Sequence, residues 1–198
     1  MLFKRSDLLE TQIAVSEIGL LKNGYAFQSN IYNSTGDYKV ITIANVAGTR
    51  FIDIKNCNCI QALPNDIQPH QLLKKDDILI SLTGNVGRVS LCLGGNYLLN
   101  QRVGLLQLKR GVNNEYIYQT LSCKRFEQSM IACSQGAAQM NIGKNDVENY
   151  KIPYSCNSSN LFAIASILKS YDLLIIIENE RLSLLHQQKQ YFLTQMFI

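Results

Sequence analysis

Four basic side chains in the middle of the chain could together hold phosphate groups, because no acidic residue lies among them. They are Arg88, Arg102, Lys109 and Arg110. The stretch between Asp77 and Glu115 contains no carboxylate. These cations therefore have no acidic neighbour in sequence, and unpaired cations on an ordered domain suit an acidic partner such as nucleic acid.

Residues that could catalyse a reaction are scarce. The chain has two histidines, no nucleotide-binding glycine loop and no nucleophile elbow. Asp146 and Glu148 stand two residues apart on a predicted helical turn, where their side chains diverge, so we interpret them as helix-capping acids. The six cysteines lack the spacing of metal ligands. We predict no catalytic and no metal-binding residue.

Sequence patterns predict an α+β protein in which a small β-sheet carries the basic residues. Three strands are indicated at 78–82, 88–93 and 102–108, and the last is apolar on both faces and therefore the most buried. The glycine loop at 84–87 has strand sequence on both sides, which excludes the helix-flanked RNA-binding loop of KH domains. The other expected elements are a weak helix at 7–18, strands at 38–46 and 51–54, a helix from an Asn113 cap to about residue 133, a loop at 134–139 and an extended segment at 152–154.

The last forty residues predict one long helix, since no glycine or proline occurs after residue 160. Apolar residues recur there at alternating steps of three and four, a heptad pattern typical of a coiled coil. They are Leu161, Ile164, Leu168, Tyr171, Ile175, Leu182, Leu185, Phe192 and Met196. Glu178 and Lys189 occupy the two positions that would complete the series.

Such a helix would be about 54 Å long at 1.5 Å per residue and would expose its apolar stripe unless it pairs with another helix. We predict pairing with a helix of another molecule. The first half is too apolar for a single seam and should contact a second surface as well. The alternative is a helix that folds back on its own domain.

Composition and charge divide the chain into two parts. With 46% hydrophobic and 17% charged residues the chain is not predominantly disordered. Residues 1–155 hold 16 basic and 12 acidic residues, whereas 156–198 hold three of each. We expect a globular domain at 1–155 and a helical extension at 156–198.

The sequence predicts a cytoplasmic protein with no membrane association. The longest uninterrupted apolar run within the predicted long helix is five residues, at 173–177, and a membrane span needs about 20. The amino-terminal residues also lack the apolar core of a signal peptide.

Several short motifs occur in an order that resembles the specificity subunit of type I restriction-modification enzymes. The resemblance covers almost the whole chain and corresponds to one target recognition domain followed by one conserved-region helix. The motifs are GYAF at 24–27 followed by the strand at 40–46, DILISLTG at 77–84 with VGR at 86–88, NQRV at 100–103, SQGAAQMNI at 134–142 with IP at 152–153, and the terminal helix. Each motif is weak alone, and their shared order before such a helix is what is specific.

The resemblance implies a subunit that recognises double-stranded DNA and catalyses nothing. In that family the recognition domain contacts one half of a bipartite site, and helices set the separation of the halves. Methylation subunits that bind S-adenosylmethionine, and a restriction subunit that uses ATP and Mg²⁺, assemble on it. No cofactor is therefore expected in this chain.

The chain departs from the full family pattern, which has two recognition domains and two helical regions. We therefore expect a half-subunit, natural or truncated, that forms a homodimer through the heptad residues named above and recognises an inverted repeat. The candidate DNA-binding residues are Lys22, Tyr25, Arg50, Thr83, Asn85, Arg88, Arg102, Gln135, Gln139 and Lys144. Arg88 and Arg102 could equally be structural or phosphate contacts, and the two glutamines could belong to a plain solvated loop.

Two other functions fit the same sequence. One is a protein-interaction scaffold, a globular domain on a coiled coil that does not bind DNA. The other is the detached recognition domain of a fused methylase-nuclease, which an enzyme domain encoded in frame upstream would reveal. Binding that weakens steeply between about 50 and 200 mM salt would favour a DNA-binding protein over the scaffold.

Overall fold

The fold begins with a pairing between the two ends of the globular part. The computed structural model describes residues 8–134 and 140–197. Strand β1 (Thr11–Ala14) pairs antiparallel with the last strand, β10 (Lys151–Tyr154). This pairing closes the globular part immediately before the long helix begins.

A four-stranded antiparallel sheet forms the centre of the domain. Its strand order is β2-β9-β6-β7, with β2 at Gly19–Asn23, β6 at Ile78–Ser81, β7 at Val89–Leu91 and β9 at Val103–Leu108. Strand β9 lies between β2 and β6, and its residues 103–106 are buried. The prediction of a strand buried on both faces is confirmed.

A second sheet packs against the first. Its strand order is β4-β3-β8-β5, with β3 at Tyr38–Ile41, β4 at Asn58–Ile60, β5 at Leu72–Leu73 and β8 at Tyr97–Leu99. Strands β3 and β8 are parallel, and the other pairs are antiparallel. Ile41, Leu79, Leu99 and Leu105 contribute to one buried cluster drawn from both sheets, which fixes the sheets relative to each other.

Helices cover the opposite face of the first sheet. They are α1 (Val15–Ile18), α2 (Asn114–Leu121), α3 (Lys124–Cys133), α4 (Lys144–Glu148) and the start of α5 (Ser158–Met196). Short 3₁₀ helices lie at Ser29–Ile31 and Pro69–Gln71. The largest buried cluster includes Tyr116, Phe126 and Leu161, so α2, α3 and the start of α5 share one core.

The predicted helix after residue 113 is present but divided. Asn113 is its amino-terminal cap, and its side-chain oxygen accepts a 2.9 Å hydrogen bond from the Tyr116 amide. The helix stops at Ser122, and α3 starts after Cys123. The predicted long terminal helix is also present, with 39 residues in one uninterrupted helix.

Three local expectations were wrong. Residues 11–14 form a strand, because they pair with β10 far away in sequence. The strand from Tyr38 ends at Ile41, where Asn45 accepts the Thr42 amide at 2.8 Å and makes a turn. The expected strand at 51–54 is reduced to a single bridge between Phe51 and Leu91.

Candidate nucleic-acid interface

Several strand ends of the two sheets meet at one end of the domain. Strand register places Asn23 opposite Gly104 and Ser81 opposite Val103, so β2 and β6 finish where β9 begins. The Asn100 amide bonds the Ile41 carbonyl at 3.1 Å, which brings the end of the second sheet to the same place. We call this surface the loop end and define it as residues 24–27, 82–86, 100–102 and 140–142.

A close backbone contact fixes the first part of the loop end. The Tyr25 amide donates to the Leu99 carbonyl at 2.8 Å, and the Gln101 amide donates to the Tyr25 carbonyl at 2.9 Å. A Cβ atom on Gly24 would lie 2.2 Å from the Asn100 carbonyl oxygen. Only glycine permits this approach, so the GYAF and NQRV motifs are held together by main-chain geometry.

The second part of the loop end is a short antiparallel contact between residues 82–84 and 140–142. The Ile142 amide donates to the Leu82 carbonyl, and the Gly84 amide donates to the Met140 carbonyl, both at 2.9 Å. The Leu82 amide in turn donates to the Arg102 carbonyl at 3.0 Å. Backbone hydrogen bonds therefore join four motifs that are spread over more than a hundred residues of sequence, from Gly24 to Ile142.

The turn between β6 and β7 is built around the Ser81 hydroxyl, which is buried. That hydroxyl donates to the Asn85 carbonyl and accepts from the Arg88 amide at 3.0 Å. Gly87 has φ +78°, and a Cβ there would lie 2.7 Å from the Met130 side chain. The turn is thus fixed from within and also packed against α3.

Side-chain contacts hold the rim of the loop end. The Tyr25 hydroxyl donates to Asp66 Oδ1 at 2.8 Å, and this hydrogen bond raises the pKa of Tyr25 above its usual value. His70 Nε2 lies 3.1 Å from the Asn23 carbonyl. These contacts connect the loop at 64–71 to the first segment of the loop end. The sequence predicted no role for Asp66 or His70 in them.

Four of the predicted DNA-binding residues lie together at the loop end: Tyr25, Thr83, Asn85 and Arg102. Asn85 and Arg102 are exposed, and the Arg102 side chain makes no hydrogen bond or ion pair with any described residue. Arg88 lies opposite Ser81 at the outer edge of the loop end. Its Nε atom is 3.4 Å from Glu127 Oε1. Its side chain is 37% exposed, so water and a phosphate group can reach it.

The remaining predicted residues are more scattered. Lys22 is half-buried on β2, one residue before the strand end. Lys144 is the first residue of α4, and its Nζ atom is 3.6 Å from Glu148 Oε1. The same carboxylate oxygen accepts a 2.8 Å hydrogen bond from the Leu21 amide. Gln135 and Gln139 lie outside the described residues.

Arg50 differs from the other predicted DNA-binding residues that the structure describes, because its guanidinium is buried and already paired with two carboxylates. Its side chain is 6% exposed. It bonds both carboxylate oxygens of Glu115, and Nη1 also donates to Asp172 Oδ2 at 2.8 Å. A buried cation with two carboxylate partners cannot turn outward to a phosphate, so we leave Arg50 out of the DNA surface.

Two exposed polar side chains at the loop end were not predicted to bind DNA. Gln101 lies between Asn100 and Arg102, and Asn141 forms a backbone bridge with Thr83. Gln101 falls within the NQRV motif, so its place in that motif was the available signal. The signal for Asn141 was weaker, because its proximity to Thr83 depends on a contact between distant segments.

The predicted pairing residues of α5 have two different environments. Leu161 and Ile164 are buried in the core of the domain, and Leu168 packs partly against it. They are therefore not available to a partner helix. The others are exposed, among them Tyr171, Ile175, Leu182, Leu185, Phe192 and Met196.

Helix α5 is apolar enough, by length and composition alone, to cross a membrane. An 18-residue window has a mean hydropathy of 1.7, which corrects the expectation drawn from uninterrupted apolar runs. This is weak evidence for a membrane span, because the start of the helix is packed into the core and Asp172 is paired with Arg50. Among residues 8–134 and 140–197, no three metal-ligating side chains come together.

Comparison with known proteins decides the family. The sequence from residue 11 to residue 187 matches the family model of the type I restriction modification DNA specificity domain. The chain belongs to this family. No curated protein matches the sequence. The resemblance suggested by the four motifs and the terminal helix is thus confirmed for the specificity domain.

Solved structures share the fold of this specificity domain. The S subunit of a type I restriction-modification system from M. genitalium is 22% identical with a TM-score of 0.61, covering 86% of this chain and 42% of its own. The HsdS subunit from Thermoanaerobacter tengcongensis is 16% identical with a TM-score of 0.60, covering 83% and 38%. A chain from a study of type I R-M complex assembly and conformational transition is 16% identical with a TM-score of 0.57, covering 87% and 43%. The specificity domain described here therefore spans about two fifths of the length of these structures.

Proposed function

We propose that this chain recognises one half of a bipartite double-stranded DNA site through the loop end. The observation that carries the proposal is the meeting of four separate motif segments at one surface, in a chain that belongs to a DNA specificity domain family. The surface offers amide, hydroxyl and guanidinium groups, which are the groups that bind base edges and phosphates.

Arg102, Gln101 and Asn85 are the residues we place nearest to DNA, because they are exposed at the tips of the loop end. Tyr25, Thr83 and Asn141 support them and are close enough to contribute. We expect Arg88, Lys22 and Lys144 to contact phosphates on either side. Gln135 and Gln139 remain candidate base contacts in the segment that precedes Met140.

We further propose that residues 1–155 form the recognition domain and that 156–198 form a spacer. Apart from Ile176, which is half-buried, every described residue of α5 after Asp172 is exposed, although the helix carries many large apolar side chains. A second helix of similar kind would cover that surface. In a homodimer, two-fold symmetry would place two identical recognition domains on an inverted repeat.

The proposed complex also contains a methylation subunit with S-adenosylmethionine and a restriction subunit with ATP and Mg²⁺, assembled in the cytoplasm. The chain itself would supply specificity and no catalysis. The proposal of these partner subunits rests on membership of the specificity domain family. The chain matches about two fifths of the length of the solved structures that share its fold.

The decisive experiment is selection from a randomised duplex DNA pool, using the purified protein with and without its companion methylation subunit. We expect enrichment of a short sequence repeated in inverted orientation at one fixed spacing. Sedimentation at micromolar concentration should show a dimer. A monomer, or enrichment of single half-sites only, would contradict the proposed pairing.

A protein-interaction scaffold is the second candidate, and the exposed apolar surface of α5 is the observation that favours it. Salt dependence separates the two functions. Binding through several phosphates should weaken steeply between about 50 and 200 mM salt. A scaffold would show no sequence enrichment even with the methylation subunit present, and its protein contacts would depend little on salt.

A further inference from the structure

A cluster of three charged side chains and one amide lies where α5 leaves the globular part. We call it the Arg50 cluster and define it as Arg50, Glu115, Gln119 and Asp172. The Gln119 side-chain amide donates to Glu115 at 2.9 Å and to Asp172 at 2.6 Å, so it bridges the two carboxylates that hold Arg50. The cluster joins three separate parts of the chain: the loop before β4, helix α2 and helix α5.

The guanidinium in this cluster is held in place from several directions. Its central carbon lies 5.4 Å from the Phe51 ring and 5.2 Å from the Tyr118 ring, distances at which a cation and an aromatic face attract. Its pairing with Glu115 uses both oxygens of one carboxylate, an arrangement that fixes orientation as well as distance. Arg50 is therefore a rigid attachment point for Asp172.

Helix α5 is attached to the domain at two places. Leu161, Ile164 and Ala165 are buried in the core near the start of the helix. Asp172 is bonded to Arg50 two turns further along. Beyond Asp172, no described side chain of the helix forms a hydrogen bond or ion pair with the globular part. One attachment fixes where the helix starts, and the second fixes the direction in which it leaves.

Small changes of that direction become large at the far end. The outer helix, which we define as residues 173–196, extends about 36 Å at 1.5 Å per residue, so a tilt of about 10° moves its tip by about 6 Å. This displacement corresponds to about two base pairs of DNA at 3.4 Å each. The last attachment before the outer helix is therefore well placed to control spacing.

We propose that Arg50 and Asp172 are positioning residues that fix the angle between the recognition domain and the outer helix, and so set the distance between the two halves of the DNA site. The inference rests on the proposed function, in which the helix is the spacer. Neither residue needs to touch DNA for this role. Loss of the Asp172 bond should leave half-site recognition intact and make the spacing less strict.

A purely structural role for the cluster predicts a different result, and Asp172→Ala separates the two. In this variant Arg50 keeps both hydrogen bonds to Glu115, so the domain retains its buried pair. Asp172→Asn is the conservative partner, because it retains the shape of the side chain and loses its charge. Glu180→Ala is the matched control, since it removes an exposed carboxylate from the same helix with no described partner in the globular part.

The first test repeats the selection from a randomised duplex pool with each variant in complex with the methylation subunit. We expect the same half-site sequence in every case. Wild type and Glu180→Ala should show one dominant spacing, whereas Asp172→Ala should lose at least half of that fraction to neighbouring spacings. Asp172→Asn should fall between them. An unchanged single spacing in Asp172→Ala would overturn the proposal.

The second test measures the angle without DNA. Spin labels carried by noncanonical residues at positions 55 and 190, diluted with unlabelled protein, report the distance between the domain and the outer helix. We expect a distribution at least 1.5 times as broad in Asp172→Ala as in Glu180→Ala. Equal widths would overturn the proposal. If wild type selects no half-site, the proposed function fails, and the label distances still decide whether Asp172 fixes the helix.

Discussion

The loop end and the outer helix are both exposed, but they differ in how much of each is completed by the chain itself. At the loop end, backbone hydrogen bonds join Tyr25, Leu82, Arg102 and Met140 within one molecule. The outer helix presents large apolar side chains, and no part of the chain at 8–134 or 140–172 covers them in a comparable way. Folding of the chain therefore completes the loop end, whereas covering the apolar side chains of the outer helix would require a second surface.

The cost of leaving the outer helix uncovered supports this contrast. Each large apolar side chain gains about 1.5–3 kcal/mol when it is fully buried. Leu174, Ile175 and Ile177 are each more than half exposed, as are residues further along the helix. An apolar surface of this extent typically marks a site of protein association.

Gly24→Ala should give the largest effect, because it breaks the loop end directly. The added Cβ would lie 2.2 Å from the Asn100 carbonyl oxygen, so two backbone segments would have to separate. We expect a loss of about 4 kcal/mol in the free energy of unfolding, of the order seen when core geometry is disrupted. Urea denaturation followed by circular dichroism measures it.

Gly143→Ala is the matched glycine control. Its Cβ would have only Asp146 Oδ2 nearby, at 3.6 Å, which is ordinary van der Waals contact. We expect a loss of about 1 kcal/mol or less, caused by a poorer helix cap. Equal losses in the two variants would mean that the close approach at Gly24 does not determine the structure of the loop end.

Arg50→Met tests the junction between the two regions. Removing the cation leaves the carboxylates of Glu115 and Asp172 close together with no cation between them, and their side chains are only 19% and 27% exposed. We expect a loss of about 3 kcal/mol, at the lower end for a broken buried pair because water reaches both carboxylates. Arg181→Met is the control, since its pair with Glu178 is exposed and worth less than about 0.5 kcal/mol.

A double change to Leu182→Asp and Leu185→Asp should disrupt the outer helix alone. We expect self-association to weaken by at least about 100-fold, because two charges would enter the proposed seam. Unfolding of the globular part should be unaffected, since neither residue contacts it. Analytical ultracentrifugation and urea denaturation of the same samples provide both measurements. A parallel loss of domain stability would show that the outer helix packs against the domain in solution.

The sequence predicted those elements whose evidence is local. An apolar period of three and four residues, broken only at Glu178 and Lys189, together with the absence of glycine and proline was enough to predict α5. Apolar residues on both faces were enough to predict the central strand β9. The cap at Asn113 was also visible, because its position and the acidic residue that follows are a local signal. These features are encoded within one stretch of chain.

The failures come from contacts between distant segments. Residues 11–14 have a weak helical pattern, but pairing with β10 about 140 residues away determines their structure. Arg50 resembled a free surface cation, because Glu115 and Asp172 lie 65 and 122 residues further along. No local pattern could show that the cation is buried between them, so the sequence predicts DNA contact by a residue that is bonded to two carboxylates inside the protein.

Arg102→Ala should weaken DNA binding without changing the fold. Arg102 is exposed at the loop end and has no described side-chain partner, so its removal should cost less than about 0.5 kcal/mol in stability. We expect about tenfold weaker binding to the selected site and a salt dependence lowered by about one phosphate contact. Titration by fluorescence anisotropy at several salt concentrations measures both quantities.

Arg110→Ala is the control for Arg102→Ala. Arg110 follows β9 at the opposite end of the same sheet. Its loss should leave the affinity for the selected site within about twofold. If both variants weaken binding equally, DNA is attracted by the general positive charge of the domain, and the loop end has no special role.

The smallest expected effect is a pH dependence of the contribution that the Arg50 cluster makes to the free energy of unfolding. Burial opposes ionisation of Glu115, but hydrogen bonds from Arg50 and Gln119 outweigh it and lower the pKa of Glu115 below its usual 4.5. The folded state therefore favours the charged form. Its contribution to stability is complete above pH 4.5 and is lost as the pH falls through the lower folded-state pKa.

Glu115→Gln should therefore be less stable than wild type at pH 7, and the gap should close as the pH falls below 4.5. Urea denaturation at intervals between pH 7 and pH 3 measures this gap, with Glu180→Gln on the outer helix as the control. A gap that stays constant would mean that the charge on Glu115 is not what holds Arg50. The junction would then depend on packing around Phe51 and Tyr118, and acid would leave the direction of the outer helix unchanged.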